Sequence, residues 1–307
     1  MNSYDIVIIG GGAAGLSAAL VLTRARRRVL VVDSGAPRNA PAAHLHGYLS
    51  RDGMPPGDLL AAGREEVRGY GGTITSGAVS AVVRSSPTEF LVLLADGERV
   101  SARRLLVATG LRDELPDIPG LRDRWAQDVL HCPYCHGWEV RDQPLGVLWT
   151  GPETVRYAQI VRQWTDDLIL FVPADTLTEE QRSQLAARSI GVVEGVVNEI
   201  VVEDDHLTGV RVDDRVIPRT AVFVPPRFVP NNDLLAGLGV DLDEPGWAVT
   251  GANGVTSVPG VWVAGNVANP RAQLITAAGE GSAAAIAINA DLVDEDVADA
   301  VIHAAQS

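Results

Sequence analysis

A glycine-rich turn between two apolar runs dominates the N-terminal sequence, YDIVIIGGGAAGLSAALVLTRARRRVLVVDSG. The first run, Ile6–Ile9, is β-branched and favours a buried strand, and the small residues after the turn favour a closely packed helix. The second run, Val29–Val32, ends in Asp33. This order predicts the strand–helix–strand unit of a dinucleotide-binding α/β domain.

The turn has the pattern G-x-G-x-x-G, in which each glycine has a physical task. Gly10 allows the tight turn, Gly12 lets the backbone approach a pyrophosphate, and Gly15 lets helix and strand pack closely. The helix N-terminus offers free N–H groups to the phosphates, and Asp33 can accept hydrogen bonds from ribose hydroxyls. The alternative is a glycine-rich turn without a ligand, and the pattern alone does not separate FAD from NAD. The predicted cofactor residues here are Gly10, Gly12, Ala13, Ala14, Gly15, Asp33 and Ser34.

Composition narrows the possible partners and surroundings. A chain of 307 residues has room for two domains, and its net charge of -14 argues against nucleic acid as the main partner. The apolar N-terminus has no basic region or cleavage site, and glycines and Asp5 interrupt it, so neither a signal peptide nor a membrane span is expected. We therefore expect a cytoplasmic, reducing setting, where a lone cysteine pair is catalytic or metal-binding more often than structural.

The sequence HCPYCHGWE contains both cysteines of the chain, Cys132 and Cys135. The C-x-x-C-H pattern fits a haem attachment site, part of a zinc site or a redox dithiol. Haem attachment needs a secreted context that is missing here. Zinc needs four ligands in tetrahedral geometry; Cys132, Cys135 and His136 could supply some, with His131 in reserve, but no second C-x-x-C exists to close the site. The redox dithiol is favoured, because a C-x-x-C at a helix start lowers the pKa of a thiol.

Two later stretches point to a known family. RRLLVATGL (Arg103–Leu111) and TSVPGVWVAGNVANPRAQLITAAGEGSAAAIAIN (Thr256–Asn289) resemble the ATG and C-terminal G-D motifs of low-molecular-weight thioredoxin reductases, and the resemblance covers nearly the whole chain. It implies FAD as the cofactor. Asn266 departs from the family's usual Asp, but its amide can still form hydrogen bonds, so we expect FAD binding to survive. The resemblance adds as cofactor residues Ala108, Thr109, Gly110, Gly265, Asn266, Gln273 and Leu274.

The resemblance also implies the domain organisation, an α/β fold of two Rossmann-like three-layer domains with the second inserted in the first. We predict an FAD-binding domain over 1–114 and 231–307, and an insert that resembles an NADPH domain over 115–230. The Pro-rich segments Leu115–Gly120 and Pro225–Asn232 are consistent with linkers. Homodimers are usual in this family.

The insert should contain a second nucleotide turn, and its sequence there is WTGPET. Only Gly151 remains of the glycine pattern. Trp149 stands where the backbone must approach a pyrophosphate, and Glu153 near the helix start would repel one. The segment that follows Phe171–Pro173 lacks the family's arginine cluster for the 2′-phosphate of NADPH. We predict that the fold is kept and the nicotinamide site is lost, the alternative being a rebuilt NAD(P)H site.

A further resemblance concerns APRNAPAAHLHGYLSRDG, residues 36–53. An R-N-x-P…H-x-H-G segment with a CPYCHG-type dithiol is similar to the natural-product dithiol oxidases of the gliotoxin and holomycin type. This implies that Arg38, His44 and His46 lie near the flavin, although the two histidines are equally consistent with surface residues. Glu139 either orients His136 or lies on the surface, and we favour the surface.

The resemblance assigns roles within the dithiol as well. Cys132 corresponds to the thiol that exchanges with substrate, Cys135 to the thiol next to the flavin, and His136 occupies the position of the family's acid/base aspartate. The predicted function is an FAD-dependent dithiol oxidase that forms an intramolecular disulfide in a small-molecule dithiol, with O2 as acceptor. The alternatives are an NADPH- or ferredoxin-dependent disulfide reductase and a non-catalytic flavin redox sensor. No metal, membrane or nucleic-acid partner is expected.

Overall fold

The computed structural model describes residues 2–306. Within that range the strands are β1 Asn2–Ile9, β2 Val29–Asp33, β3 Thr73–Ser76, β4 Val79–Ser86, β5 Glu89–Leu94, β6 Arg99–Val107, β7 Leu111–Glu114, β8 Val129–Leu130, β9 Leu145–Leu148, β10 Leu168–Val172, β11 Gly191–Glu194, β12 Val197–Glu203, β13 His206–Val212, β14 Arg215–Pro218, β15 Ala221–Phe223, β16 Arg227–Pro230 and β17 Val261–Val263. The α-helices are α1 Ala13–Arg24, α2 Pro56–Gly69, α3 Pro133–His136, α4 Thr154–Val161, α5 Glu179–Ala187, α6 Asp233–Gly237 and α7 Leu274–Gln306. Among residues 2–306, no helix is both long and apolar enough to cross a membrane.

The chain divides into two compact units. Unit 1 comprises the residues up to Ala40, Gly47–Arg112 and the residues from Phe228 onward, and unit 2 comprises Pro41–His46 and Asp113–Arg227. The main boundaries fall two or three residues before the predicted ones. A larger difference is that Pro41–His46, predicted as part of the FAD-binding domain, packs with unit 2.

Unit 1 is built on a seven-stranded sheet in the order β3-β2-β1-β6-β5-β4, with β17 also paired to β6. Strands β1, β2, β3, β6 and β17 are parallel, while β4 and β5 form an antiparallel extension. One face of the sheet is covered by apolar side chains of α1 and α7, which share a buried cluster with β1 and β2. The carboxyl ends of four parallel strands, β1, β2, β6 and β17, therefore reach the same edge of the sheet, where ligands bind in folds of this kind.

Unit 2 repeats this architecture on a smaller scale. Its five strands, in the order β11-β10-β9-β15-β8, are all parallel. Side chains of α4 and α5 cover one face, and the antiparallel sheet β12-β13-β14 covers the other. The predicted α/β class with two Rossmann-like, three-layer domains is thus confirmed.

The two long segments that link the units are partly regular structure. Strand β7 pairs with β16 in a two-stranded sheet, so the Pro-rich stretch 225–232, predicted as a linker, contains a strand. Pro is tolerated in such a strand because an edge position does not require its missing N–H group.

Candidate functional site

The first turn of unit 1 requires two of its three predicted glycines, Gly10 and Gly15, because of close backbone contacts. Gly10 has φ of +110°, and a Cβ there would lie 2.3 Å from the carbonyl oxygen of Ala108. A Cβ on Gly15 would lie 1.9 Å from the carbonyl oxygen of Gly10, so α1 can approach β1 only through glycine. A Cβ on Gly12 would meet no protein atom within 4 Å, which leaves the backbone accessible to a ligand.

The start of α1 fits a pyrophosphate. Gly12 is the N-cap residue and provides no side-chain cap, and the first helical turn from Ala13 and Ala14 contains no acidic residue. Because the first N–H groups of a helix have no partner within the helix, those of α1 can bind an anion.

Asp33 ends β2 at the same edge of the sheet, where its carboxylate is already oriented. Arg64 of α2 contacts Asp33, with 3.1 Å between Nη2 and Oδ2, and the N–H of Gly35 donates to Oδ1 at 3.2 Å. The neighbouring Ser34 is exposed. Arg64 was not predicted, because an arginine within a helix carries no sequence signal of a partner so far away in the chain.

The ATG turn, Ala108 to Gly110, follows β6 and is fixed by Asn231. The Thr109 hydroxyl donates to the Asn231 carbonyl at 2.7 Å, and the Asn231 side-chain amide donates to the Thr109 carbonyl at 2.9 Å. The Asn231 N–H also donates to the Gly110 carbonyl at 3.0 Å. The Thr109 hydroxyl is therefore used to hold the turn in place.

The turn after β17 explains the departure from the family's aspartate. The side-chain amide of Asn266 donates to the carbonyls of Asn269 and Ala272, at 2.9 and 3.0 Å. A carboxylate could donate neither bond and would face two carbonyl oxygens. Asparagine is therefore the residue that this loop requires, and its own carbonyl oxygen can still accept a hydrogen bond.

Glu280 of α7 supports the same turn and was not predicted. Its carboxylate accepts the N–H of Gly265 at 2.9 Å and the side-chain amide of Asn269 at 2.7 Å. Gly265 has φ of +76°, which favours glycine. The turn and the start of α7 are thus held to one another by a carboxylate within the helix.

The remaining cofactor candidates of unit 1 lie near the start of α7 and in the loop after β2. The Gln273 carbonyl accepts the N–H of Ala277 at 2.8 Å, and α7 begins at Leu274. A Cβ on Gly47 would lie 3.6 Å from the Gln273 side-chain oxygen. Arg38 stacks over the Phe228 ring, 5.1 Å from its centroid.

In unit 2, Cys132 and Cys135 form a disulfide with their Cα atoms 5.2 Å apart. Cys132 is the N-cap of α3, so the pair stands at a helix start as predicted. The N–H groups of Cys135 and His136 both donate to the Cys132 carbonyl, at 3.0 and 3.1 Å. Cys135 is therefore held inside a helical turn, while Cys132 is in extended backbone before it. Within residues 2–306 no three His, Cys, Asp or Glu residues are grouped so as to hold a metal ion.

His136 follows the disulfide directly and is largely buried. Burial is the main cause that lowers the pKa of its imidazole, the nearby Glu139 carboxylate opposes that effect, and His46 adds to it. The ring is therefore neutral near pH 7. A neutral imidazole beside a disulfide can accept a proton from an incoming thiol.

His46 reaches this part of unit 2 from the segment Pro41–His46. Its Nε2 lies 3.4 Å from Oε1 of Glu139, and its ring centroid lies 6.5 Å from that of His44. The segment with both histidines packs in unit 2, whereas the predicted FAD-binding domain included it. Glu139 is 44% exposed, in agreement with the favoured surface position, and it also contacts His46. That the two histidines lie near the flavin stays a prediction.

The second turn, between β9 and α4, does not fit a pyrophosphate. Trp149 packs against the apolar core of unit 2, and the Thr150 N–H donates to the side-chain hydroxyl of the buried Thr154 at 3.1 Å. Glu153 is the exposed N-cap residue of α4. An amide that a phosphate would need is thus used inside the turn, and an acid stands at the helix start.

Comparison with known proteins agrees with this geometry. Residues 4–281 match the family model of the pyridine nucleotide-disulphide oxidoreductases. The crystal structure of HlmI is 56% identical, with a TM-score of 0.96 over 99% of this chain and 97% of that one. "Thioredoxin reductase sirT" of Leptosphaeria maculans is 29% identical over 314 residues, 96% of each protein.

A third relative matches over a shorter length. The "Probable thioredoxin reductase" of Arthroderma benhamiae is 34% identical over 177 residues, which are 56% of this chain and 44% of that protein. The chain thus spans about half the length of some of the curated relatives it matches. The predicted resemblance to thioredoxin reductases is nevertheless confirmed over nearly the whole chain by the relatives described above.

The family match and the open first turn agree on one cofactor and one chemistry. The chain binds FAD, and its unit 2 contains the disulfide-forming cysteine pair. The chain is a flavoprotein thiol-disulfide oxidoreductase and belongs to the pyridine nucleotide-disulphide oxidoreductase family.

Proposed function

We propose that this protein is an FAD-dependent dithiol oxidase, which closes an intramolecular disulfide in a small-molecule dithiol and uses O2 as the electron acceptor. The observation that carries the proposal is the contrast between the two turns. The turn at Gly12 leaves helix N–H groups for a pyrophosphate, whereas the turn at Trp149 uses its amide internally. Electrons therefore enter from a dithiol at the cysteine pair and not from a nicotinamide.

The exchange reaction follows from the position of the two cysteines. A substrate thiolate attacks Sγ of Cys132, the Cys132–Cys135 bond breaks, and Cys135 leaves as a thiolate. The second substrate thiol then attacks the substrate sulfur of the mixed disulfide and releases Cys132. Two electrons have moved from the substrate to the cysteine pair, and the substrate leaves as a disulfide.

His136 handles the proton in this scheme. Its neutral imidazole accepts the proton of the attacking thiol, since only the thiolate is an effective nucleophile. Bound FAD supplies a two-electron acceptor that O2 can reoxidise. The residues proposed to hold it are the turn at Gly10–Gly15, Asp33, the ATG turn and the Gly265–Asn266 turn.

NADPH-driven disulfide reduction is the alternative, since relatives carry the name thioredoxin reductase. The yellow holoprotein should be mixed anaerobically with dithiothreitol and, separately, with NADPH, and the flavin absorbance followed by stopped flow. Dithiothreitol should bleach the flavin, air should restore it with formation of peroxide, and NADPH should leave it oxidised. Fast bleaching by NADPH would establish the reductase instead.

Cys135→Ser provides the matched control for the dithiol. Without the second sulfur the disulfide cannot form, so dithiothreitol should no longer bleach the flavin, while the flavin content of the purified protein stays the same. A Cys135→Ser protein with normal turnover would contradict the role given to this thiol.

We further propose a cytoplasmic homodimer, on two observations. The exposed apolar residues Val293, Val297 and Val301 recur every fourth position of α7 and so lie along one side of it. A cysteine pair that must cycle between dithiol and disulfide is suited to a reducing compartment. Sedimentation of the holoprotein and of Val297→Asp tests the dimer, which the added charge should weaken.

A further inference from the structure

His136, which directly follows the disulfide of unit 2 in the chain, has two ionisable neighbours, Glu139 and His46, that have no part in the reaction described above. His136 follows Cys135 in the chain, Glu139 lies three residues later, and His46 comes from a segment more than eighty residues earlier. We propose that Glu139 and His46 act on His136 as an opposed pair of positioning residues, which together set when His136 can take the proton of the substrate. This inference rests on the proposed function.

The contact between His46 and Glu139 is the geometric basis. Nε2 of His46 lies 3.4 Å from Oε1 of Glu139, with the two side chains 21% and 44% exposed. Both residues belong to unit 2, so the contact is a property of the unit that contains the dithiol.

The same carboxylate acts on His136 as well. Glu139 raises the pKa of His136 and His46 lowers it, while burial of the ring lowers it further. Of the remaining ionisable groups on these segments, the His44 ring lies 6.5 Å from that of His46, and Arg141 stacks on the Trp138 ring at 3.9 Å. His136 therefore experiences one anion and one ionisable imidazole whose effects oppose each other.

If Glu139 and His46 act on His136 in opposite directions, their removal should shift the pKa of His136 in opposite directions, which a purely structural role would not produce. Glu139→Gln removes the negative charge and should lower the pKa of His136. His46→Gln removes the imidazole that lowers the pKa of His136 and should therefore raise that pKa. The double variant should lie between the two single ones, because each change offsets the other.

The direct measurement is a pH titration of the His136 ring by NMR in the oxidised holoprotein. The second readout is the pH profile of flavin bleaching by dithiothreitol. Because the reaction needs neutral His136, its rate should rise with pH, and the rising limb should move to higher pH in His46→Gln and to lower pH in Glu139→Gln. His206→Gln, an exposed histidine on β13, is the control and should move neither.

The outcomes separate this inference from the proposed function. Midpoints that shift in the same direction in both single variants, or in neither, would overturn the opposed pair even if dithiothreitol bleaches the flavin. Failure of dithiothreitol to bleach the wild-type flavin at any pH would refute the oxidase, whereas the NMR titration would still decide on the pair. Unchanged flavin content and circular dichroism establish that each variant has folded.

Discussion

Two turns of this molecule occupy equivalent positions in similar parallel sheets but differ in whether their backbone N–H groups are available to an anion. Each follows a buried parallel strand and leads into a helix, at Gly10–Gly15 in unit 1 and at 149–154 in unit 2. In unit 1 the helix N–H groups have no side-chain cap and the backbone at Gly12 is accessible. In unit 2 the Thr154 hydroxyl accepts the Thr150 amide of the turn, and Trp149 packs against the apolar core of the unit.

The difference shows which part of a nucleotide-binding fold depends on the ligand. The sheet of unit 2 is intact, with five parallel strands and both faces covered, because its stability comes from apolar burial and backbone pairing. Only the turn serves the nucleotide. Side chains there can replace the ligand's contacts at little cost to the fold, so architecture alone does not identify a cofactor.

The largest expected effect is on unit 1. Gly12→Glu places a carboxylate at the pyrophosphate position, as Glu153 does naturally in unit 2. FAD affinity should fall on the order of 100-fold, because the new carboxylate occupies the helix N-terminus and its negative charge repels the pyrophosphate. The measurement is the flavin content of purified protein and its titration with FAD.

Two controls make this comparison specific. Gly12→Ala should weaken FAD binding less than Gly12→Glu, since its methyl group adds bulk beside the pyrophosphate but no charge and meets no protein atom within 4 Å. Glu153→Gln, the counterpart in unit 2, should leave the flavin content unchanged. Full flavin content in Gly12→Glu would show that the two turns do not differ in the way described.

A smaller effect is expected in unit 2. Thr154→Val keeps the shape of the side chain but removes the hydroxyl that accepts the Thr150 N–H. The free energy of unfolding should fall by about 1 kcal/mol, the net contribution of a part-buried hydrogen bond. Urea denaturation followed by circular dichroism measures it.

Thr154→Ser is the matched variant for this test, because it keeps the hydroxyl and should retain the Thr150 hydrogen bond. Flavin content should be unchanged in both proteins. Equal stability of Thr154→Val and wild type would mean that the internal hydrogen bond does not hold the second turn closed.

The smallest effect is expected at His136 of unit 2 and concerns the pH dependence of stability. Burial lowers the pKa of His136 in the folded protein, so the unfolded chain binds more protons between that pKa and about 6.5. Protonation of His136 should therefore cost no free energy of unfolding above about pH 6.5, and the free energy of unfolding should fall as the pH drops below that value. His136→Gln should flatten this part of the curve of melting temperature against pH, and an unchanged slope would contradict the buried, neutral ring.

The sequence was sufficient for the features that local patterns determine. The strand–turn–helix–strand at the N-terminus is observed as β1, α1 and β2, with Gly10 and Gly15 in the tight contacts expected of them. The predicted loss of the nicotinamide site stays a prediction, which the internal use of the Thr150 amide and the exposed Glu153 at the start of α4 support.

Contacts between distant parts of the chain could not be predicted in this way. Nothing near Glu139 in sequence indicates that His46 is its partner, and the Pro41–His46 segment is flanked on both sides by residues of unit 1. Similarly, Asn266 differed from the family pattern for a reason that is visible only in the loop, where it donates to two carbonyls. Pairings of this kind are set by tertiary folding.

The packing of Pro41–His46 with unit 2 affects which parts of the chain can be exchanged as a module. Unit 2 is formed by two separate segments of the chain, and the shorter one, Pro41–His46, brings His46 into contact with Glu139. A chimaera that exchanged only Asp113–Arg227 would transplant the disulfide and His136 without the histidine that accompanies them. The redox site is therefore encoded by two separate segments of sequence. Recombination that exchanged only the longer segment would separate His46 from the disulfide.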